Sequence, residues 1–333
     1  MKNSAIIVSL SPLNFERFLG NISGFQDILS DMHLVDPVLP YLTLVEKINT
    51  FQSEILLTGW GSTPLPITFL RDCPTIRYVC HLTGELRWLL PKMLIEEGLL
   101  VTNWGSAISD NVAEGALFLI LACLRRATNA TTIMHHRKGW DLCVEPPESL
   151  LDKKVGIHGF GNIAQQLTLL LRSFRCKISS YSPPVPDLLF TTFSTEREES
   201  LENLFENNDI VVELEALTSQ TERMVGINLL KRIRPGGIFV NAGRGKLVNE
   251  KELEEVAREG KIFIGLDVYN EEPLSPVSPL RGLENVFLVP HLAGPTPDRY
   301  GICAEHALAN IRAFRLNKPL ASFVGPSEYD RIT

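Results

Sequence analysis

The sequence predicts an α/β protein made of two parallel-sheet domains. Its 333 residues suffice for about two hydrophobic cores. Short apolar runs alternate with helix-like segments along nearly the whole chain, the order that a parallel sheet with crossover helices requires. One such junction carries a Gly-x-Gly turn between strand and helix. Hydrophobic residues make up 44% and charged residues 21%, a balance that excludes disordered, collagenous and coiled-coil classes.

Taken in order, the apolar runs predict strands at 5–10, 55–58, 76–80 and 99–102, then at 154–158, 177–181, 210–213, 237–241, 263–267 and 286–289. Between the two groups lies a helical stretch from 108 to about 138. Its apolar residues Val112, Ala116, Leu117, Leu119, Ile120, Cys123 and Leu124 wrap most of the circumference. A helix that is apolar nearly all round is covered on several sides, so this one is expected to be an inter-domain or subunit-contact helix. A linker over 140–150, with Pro146-Pro147, leads into the second group. The last helix, expected over 298–316, has no strand after it in the second sheet and is expected to return to the first domain.

Lys and Arg total 32 against 39 Asp and Glu, a formal net charge of −7. The broad positive field that non-specific nucleic-acid binding relies on is therefore missing. Cys73, Cys80, Cys123, Cys143, Cys176 and Cys303 form no Cys-x-x-Cys pair and stand near no His at zinc-ligand spacing, so no metal is expected. They read as small buried hydrophobes in a reducing compartment. The apolar run at 5–10 is shorter than a signal-peptide core, and the run at 116–124 is too short to span a bilayer. The expectation is a cytoplasmic protein with neither a membrane nor a nucleic-acid partner.

Strand 154–158 runs into Gly159-Phe160-Gly161-Asn162-Ile163-Ala164, after which Gln165 to Leu171 opens a helix. Gly159 permits the tight turn. Gly161 lacks the Cβ that would hold a diphosphate away from the helix N-terminus, and Ala164 sits where helix and strand pack closely. This context favours a dinucleotide over a turn kept only for packing. The acid that commonly ends the next strand and binds the adenosine ribose is replaced by Ser182. A serine accepts either a ribose hydroxyl or its 2′-phosphate, but the only cation from 176 to 190 is Lys177, at the far end of the strand. NAD is therefore preferred, with NADP left open.

Three later segments each lie just beyond the C-terminal end of an expected strand, where open α/β sheets place ligands. They are Asn241-Ala242-Gly243-Arg244-Gly245, then Asp267 to Pro273, then Pro290-His291. Arg244 offers a planar guanidinium that grips a carboxylate bidentately and polarises a neighbouring keto oxygen. His291 is the natural proton donor, and Glu272 bonded to it would fix its tautomer and keep it protonated. Asp267, nearer the strand end, suits the nicotinamide carboxamide. Alone, each has a blander reading as a loop cation, a surface acid or a histidine satisfied by backbone.

In this order the segments resemble the D-isomer-specific 2-hydroxyacid dehydrogenase family. The likeness is close over about 102–296 and loose over the first third. It implies two Rossmann-like domains, a flavodoxin-like substrate domain (1–102 with 292–333) and an NAD(P)-binding domain (103–291), with the active site in the interdomain cleft. It also implies a homodimer and a small 2-oxo or 2-hydroxy acid as partner. Arg244, Glu272 and His291 fall on the family's substrate arginine and its Glu–His acid–base pair. The coenzyme contacts fall on Gly159, Phe160, Gly161, Asn162, Ile163, Ser182, Ala242, Gly243 and Asp267. Asn111-Val112-Ala113-Glu114 resembles the motif opening the family's long helix.

Two departures stand out. A Leu-His-x-Pro-Leu-Thr stretch common in the family reads Leu214-Glu215-Ala216-Leu217-Thr218 here. The substrate loop, usually Gly-rich with Asp-Asn, reads His81 to Trp88. Backbone amides near Thr83 and Gly84 remain able to hold a carboxylate, and His81, Arg87 and Trp88 are candidates for a changed specificity pocket. The expected function is hydride transfer between NAD(P)(H) and a 2-oxo or D-2-hydroxy acid. The alternative is an NAD(H)-sensing, corepressor-like binding protein without significant turnover.

Overall fold

A computed structural model describes residues 5–140 and 146–332, so Cys143 and much of the 140–150 linker lie outside the described residues. The chain divides into two compact units, Met1–Ile108 with Pro295–Thr333, and Ser109–Gly294.

The first unit holds β1 (Ile6–Ser9), β2 (Met32–Val35), β3 (Ile55–Thr58), β4 (Tyr78–His81) and β5 (Leu100–Thr102). They pair in parallel in the order β2-β1-β3-β4-β5, the doubly wound order of flavodoxin-like sheets. β1, β3 and β4 are buried throughout, as strands covered on both faces must be, and this is why they read as unbroken apolar runs. Ile7, Leu56, Val79 and Val101 meet Leu44, Ile48, Phe69 and Leu94 from the covering helices in one core. The helix Tyr300–Arg315 belongs to this unit. Its Phe314 ring stacks on Tyr78 at 5.0 Å, and the Cys80 thiol donates to the Ala307 carbonyl.

The second unit holds β6 (Lys154–His158), β7 (Lys177–Tyr181), β8 (Glu196–Arg197), β9 (Ile210–Glu213), β10 (Ile238–Asn241), β11 (Phe263–Leu266) and β12 (Val286–Leu288). All pair in parallel, in the order β12-β11-β10-β9-β6-β7-β8. The winding reverses between β9 and β6, which places a ligand-binding crevice at that end of the sheet. Phe205, Val211, Phe239, Leu253 and Ile264 form much of its core.

The helical stretch expected from 108 to 138 is not one helix. It runs Ser109–Leu124, then Ala127–Thr131 and a π-helical turn Thr132–Arg137, with a bend of 66°. The break falls at Arg126, in the left-handed region at φ 54°. Its guanidinium is drawn inward over the Phe263 ring at 3.5 Å and donates to the Cys123 carbonyl and to Glu148. Such burial of a cation is tolerated because its charge is paired and stacked. Ser109–Leu124 packs on β10, β11, β12 and the helix Asn162–Arg172, so its broad apolar surface is largely covered inside its own unit. Among the described residues no single helix is long and apolar enough to cross a membrane.

Two strands were not expected. β2 is an edge strand with mixed burial, and β8 has only two residues, both exposed. Neither carries an apolar run to read. Because Leu56 and Phe239 are fully buried in separate cores, Leu56→Ala should cost about 2–5 kcal/mol and Phe239→Ala about 3–5 kcal/mol, read from urea unfolding. Losses below about 1 kcal/mol would contradict the packing described.

Candidate active site

Parallel register brings the three downstream segments together. Asn241 pairs with Leu266, and Leu266 with Leu288, so the loops leaving β10, β11 and β12 emerge side by side. Each loop is then shaped by its own sequence.

After β10, Asn241 closes a short turn: its side-chain oxygen accepts from the Gly243 N–H at 3.1 Å and its amide donates to the Arg244 carbonyl at 3.0 Å. The Arg244 side chain donates to the Gly243 carbonyl at 2.7 Å. Gly245 lies flat on the next loop. A Cβ there would come 2.0 Å from the Tyr269 carbonyl carbon, so only glycine allows this approach.

After β11, Asp267 is buried, and one carboxylate oxygen accepts from the N–H groups of Leu292 at 2.6 Å and Ala293 at 3.1 Å. Burial raises the Asp267 pKa against the opposing effect of those two donors. The Asp267 carbonyl also accepts the His291 N–H at 3.0 Å. These bonds hold the segment after β12 in a fixed turn, with His291 at φ 52°.

The turn presents the His291 ring to Glu272, Nδ1 to Oε2 at 2.7 Å, while Glu272 Oε1 accepts the Tyr269 N–H at 3.0 Å. The hydrogen bond to Glu272 raises the His291 pKa. Burial and the Arg244 charge oppose the rise, and the charges of Glu272 and Asp267 support it. Burial pushes Glu272 up, but the His291 and Tyr269 hydrogen bonds and the charges of His291 and Arg244 outweigh it and hold it low. Arg244 thus acts electrostatically on both members of the pair. With Nδ1 engaged, Nε2 is the ring nitrogen left for proton exchange.

Two strands from β10, β6 ends at the glycine turn. Gly159 has φ +86°, and an added Cβ would lie 2.7 Å from the Glu215 Cα. Gly161 is the residue before the helix Asn162–Arg172, where no side chain caps the first turn and an added Cβ would meet nothing within 4 Å. Open space before uncapped N–H groups fits a diphosphate. Asn162 is exposed and Ile163 half-buried beside this space. Phe160 is buried and its ring stacks on Phe190 at 4.7 Å, so Phe160 can offer a ligand only backbone. Ala242 is buried and Gly243 half-buried at the end of β10. Ser182 is buried at the end of β7, its hydroxyl 3.4 Å from Glu215 Oε2, a neighbour not foreseen from sequence.

The first unit carries the other expected contacts. His81 is buried between two threonine hydroxyls, Thr58 at 2.8 Å from Nδ1 and Thr83 at 2.6 Å from Nε2. Burial lowers its pKa to about 3, so it is a neutral strut and not an acid. Gly84 lies under the Trp104 indole, which an added Cβ would approach to 2.6 Å. The Arg87 guanidinium donates to the Ile332 carbonyl at 3.0 and 2.8 Å, an engagement the sequence did not indicate for a pocket residue. Trp88 is partly exposed, with its ring edge-on to His81 at 6.0 Å. Among the described residues no His, Cys, Asp and Glu group is arranged to hold a metal ion.

The D-isomer specific 2-hydroxyacid dehydrogenase NAD-binding domain model matches residues 117–293. A glyoxylate/hydroxypyruvate reductase of Arabidopsis thaliana is 33% identical over 310 residues, 85% of this chain and 94% of that protein. The chain belongs to the D-isomer specific 2-hydroxyacid dehydrogenase family. A glyoxylate reductase of Korarchaeum cryptofilum is 30% identical over 277 residues, covering 82% of each chain. Among solved structures, the apo D-mandelate dehydrogenase of Rhodotorula graminis is similar in fold, with TM-score 0.82 at 19% identity over 97% of this chain and 98% of that one. An NADPH-dependent glyoxylate/hydroxypyruvate reductase of Sinorhizobium meliloti gives 0.78 at 21% identity over 98% and 99%. The family accounts for the α/β architecture and for an NAD(P)-binding sheet in the second unit.

Gly245 is the tightest contact in the arrangement of these loops. Gly245→Ala should force the Arg244 loop off Tyr269 and cost about 1–3 kcal/mol in chemical unfolding. A variant with unchanged stability would show that the two loops are not in this contact.

Proposed function

We propose that the protein is an NAD(P)-linked dehydrogenase that interconverts small 2-oxo acids and D-2-hydroxy acids, with Arg244, Glu272 and His291 as its catalytic residues. The observation that carries the reading is the 2.7 Å His291–Glu272 bond beside the Arg244 loop, at the same end of the sheet as the glycine turn. The relatives named as glyoxylate and hydroxypyruvate reductases support the substrate class, a short 2-oxo acid.

When bound, a nicotinamide coenzyme would supply or take up the hydride exchanged with the substrate C2. The backbone of Gly159 to Ile163 would hold the diphosphate, and Asp267, with Ala242 and Gly243, would border the nicotinamide end. Arg244 grips the substrate carboxylate and fixes the keto group in plane, which replaces entropy lost in a chance encounter with a prearranged geometry. His291 donates a proton from Nε2 to the developing alkoxide on reduction and takes it back on oxidation. Glu272 fixes the ring through Nδ1 and favours its charged form. In the first unit, Thr83 and Gly84 are proposed substrate contacts. The Thr83 hydroxyl is engaged by His81, which leaves the loop N–H groups as the donors offered to a carboxylate.

His291→Ala should lower kcat for reduction by about 10²–10⁴-fold while coenzyme binding, followed by nicotinamide fluorescence, is retained. Arg244→Ala should raise KM and lower kcat together. Retention of full activity in either variant would remove that residue from the mechanism. Failure of the wild-type chain to consume either coenzyme across a panel of 2-oxo acids would favour the coenzyme-sensing alternative.

The pH dependence follows from the raised His291 pKa. Reduction needs the imidazolium, so kcat/KM for reduction is highest below that pKa and falls as pH rises through it, above the ordinary value of 6.5; oxidation shows the opposite limb. Glu272→Gln removes the largest cause of the rise and should move both limbs to lower pH. An unmoved profile would mean that another group titrates.

A further inference from the structure

We propose that Glu215 is the residue that reads the adenosine ribose and makes this chain select NAD(H) over NADP(H). The inference rests on the reading of the glycine turn as a dinucleotide site and adds the group that decides between the two coenzymes.

The position usually filled by an acid at the end of the second strand of such a sheet holds Ser182. The structure brings an acid to the same place from a different strand. Glu215 follows β9, and its backbone runs against the glycine turn, within 2.7 Å of where a Gly159 Cβ would stand. Its side chain reaches the end of β7, where Oε2 accepts from the Ser182 hydroxyl at 3.4 Å. Oε1 accepts the Ala216 N–H at 2.8 Å. The carboxylate therefore stands at the winding reversal beside the diphosphate cradle, in the place where ribose hydroxyls need acceptors.

Its position is fixed from below. The Glu215 N–H donates to Glu213 Oε1 at 2.9 Å, and Glu213 Oε2 is bonded to His158 Nδ1 at 2.6 Å. Glu213 and His158 are both buried at the C-terminal ends of β9 and β6. A paired acid and imidazole inside a sheet form a rigid base, because leaving either one unpaired would be costly. Burial alone would lower the His158 pKa, but the charge and hydrogen bond of Glu213, then the charge of Glu215, raise it instead.

A 2′-phosphate adds nearly two negative charges and calls for an arginine or lysine. Two cations on the neighbouring strands bear on this. Lys177 begins β7, at the opposite end from Ser182. Arg197, on β8, is turned to the loop after β7, where it donates to the Pro183 and Val185 carbonyls, each at 2.9 Å, and to Asp187 at 2.5 Å. Its charge is matched by the Asp187 carboxylate. Glu215 places a carboxylate beside the Ser182 hydroxyl, a neighbour that favours ribose hydroxyls there and disfavours a phosphate.

The test uses coenzyme fragments and needs no turnover: calorimetric titration of the whole protein with ADP-ribose and with 2′-phospho-ADP-ribose. The wild type should bind ADP-ribose at least about 100-fold more tightly. Glu215→Gln, close in shape and neutral, should weaken ADP-ribose binding by about tenfold and bring the two affinities within about tenfold of each other. His158→Phe, which removes the support and not the acid, should loosen ADP-ribose binding while preference for it persists. Equal or tighter binding of the phosphorylated fragment by the wild type overturns the inference and leaves the dinucleotide site standing. So does an unchanged ratio in Glu215→Gln when thermal unfolding shows that variant folded. If neither fragment binds the wild type, the dinucleotide reading itself fails and takes the inference with it.

Discussion

The shared register of β10, β11 and β12 is the constraint on which the site depends. Parallel strands in register end at one edge, so loops separated by dozens of residues in sequence leave the sheet as neighbours. Asn241, Leu266 and Leu288 set that edge, and Arg244, Glu272 and His291 need only short loops to meet near it. A shift of one residue in any of the strands would turn its side chains to the other face and carry its member of the candidate set away. The buried apolar residues of these strands thus hold the geometry of the polar groups on the loops that follow them.

On that scaffold the local electrostatics follow from a few charges. Glu272 and Asp267 favour the protonated ring of His291, and Arg244 opposes it. The balance leaves the imidazole more basic than usual, which suits the proton-donor role proposed for it. Asp267 has a second structural part: its backbone and side chain accept three N–H groups from 291–293 and hold the turn on which His291 stands. Substitution of Asp267 would therefore disturb both the turn and the charge balance.

What the sequence made legible was whatever burial and chirality had already written into it. Strands Ile55–Thr58, Lys154–His158, Lys177–Tyr181 and Ile210–Glu213 are found at their expected limits, the first and last because central strands in a doubly covered sheet need apolar runs. The Gly159 turn was readable because a positive φ at a strand-to-helix junction selects glycine. The break at Arg126 was not, since it depends on the Phe263 ring, 137 positions later in the chain, and on Glu148. The same limit applied at Ser182 and Arg87, whose partners Glu215 and Ile332 come from other elements. His158 and Glu213 each looked like the end of an apolar strand. Only the pairing of β6 with β9 makes them one buried unit.

The most direct measurement is a crystal structure of the protein with reduced coenzyme and oxamate, an unreactive mimic of a 2-oxo acid. The oxamate carboxylate should form paired hydrogen bonds with the Arg244 guanidinium, and its carbonyl oxygen should lie within about 3.2 Å of His291 Nε2. Oxamate bound without contact to either residue, or a coenzyme lying away from the Gly159–Ile163 turn, would contradict it.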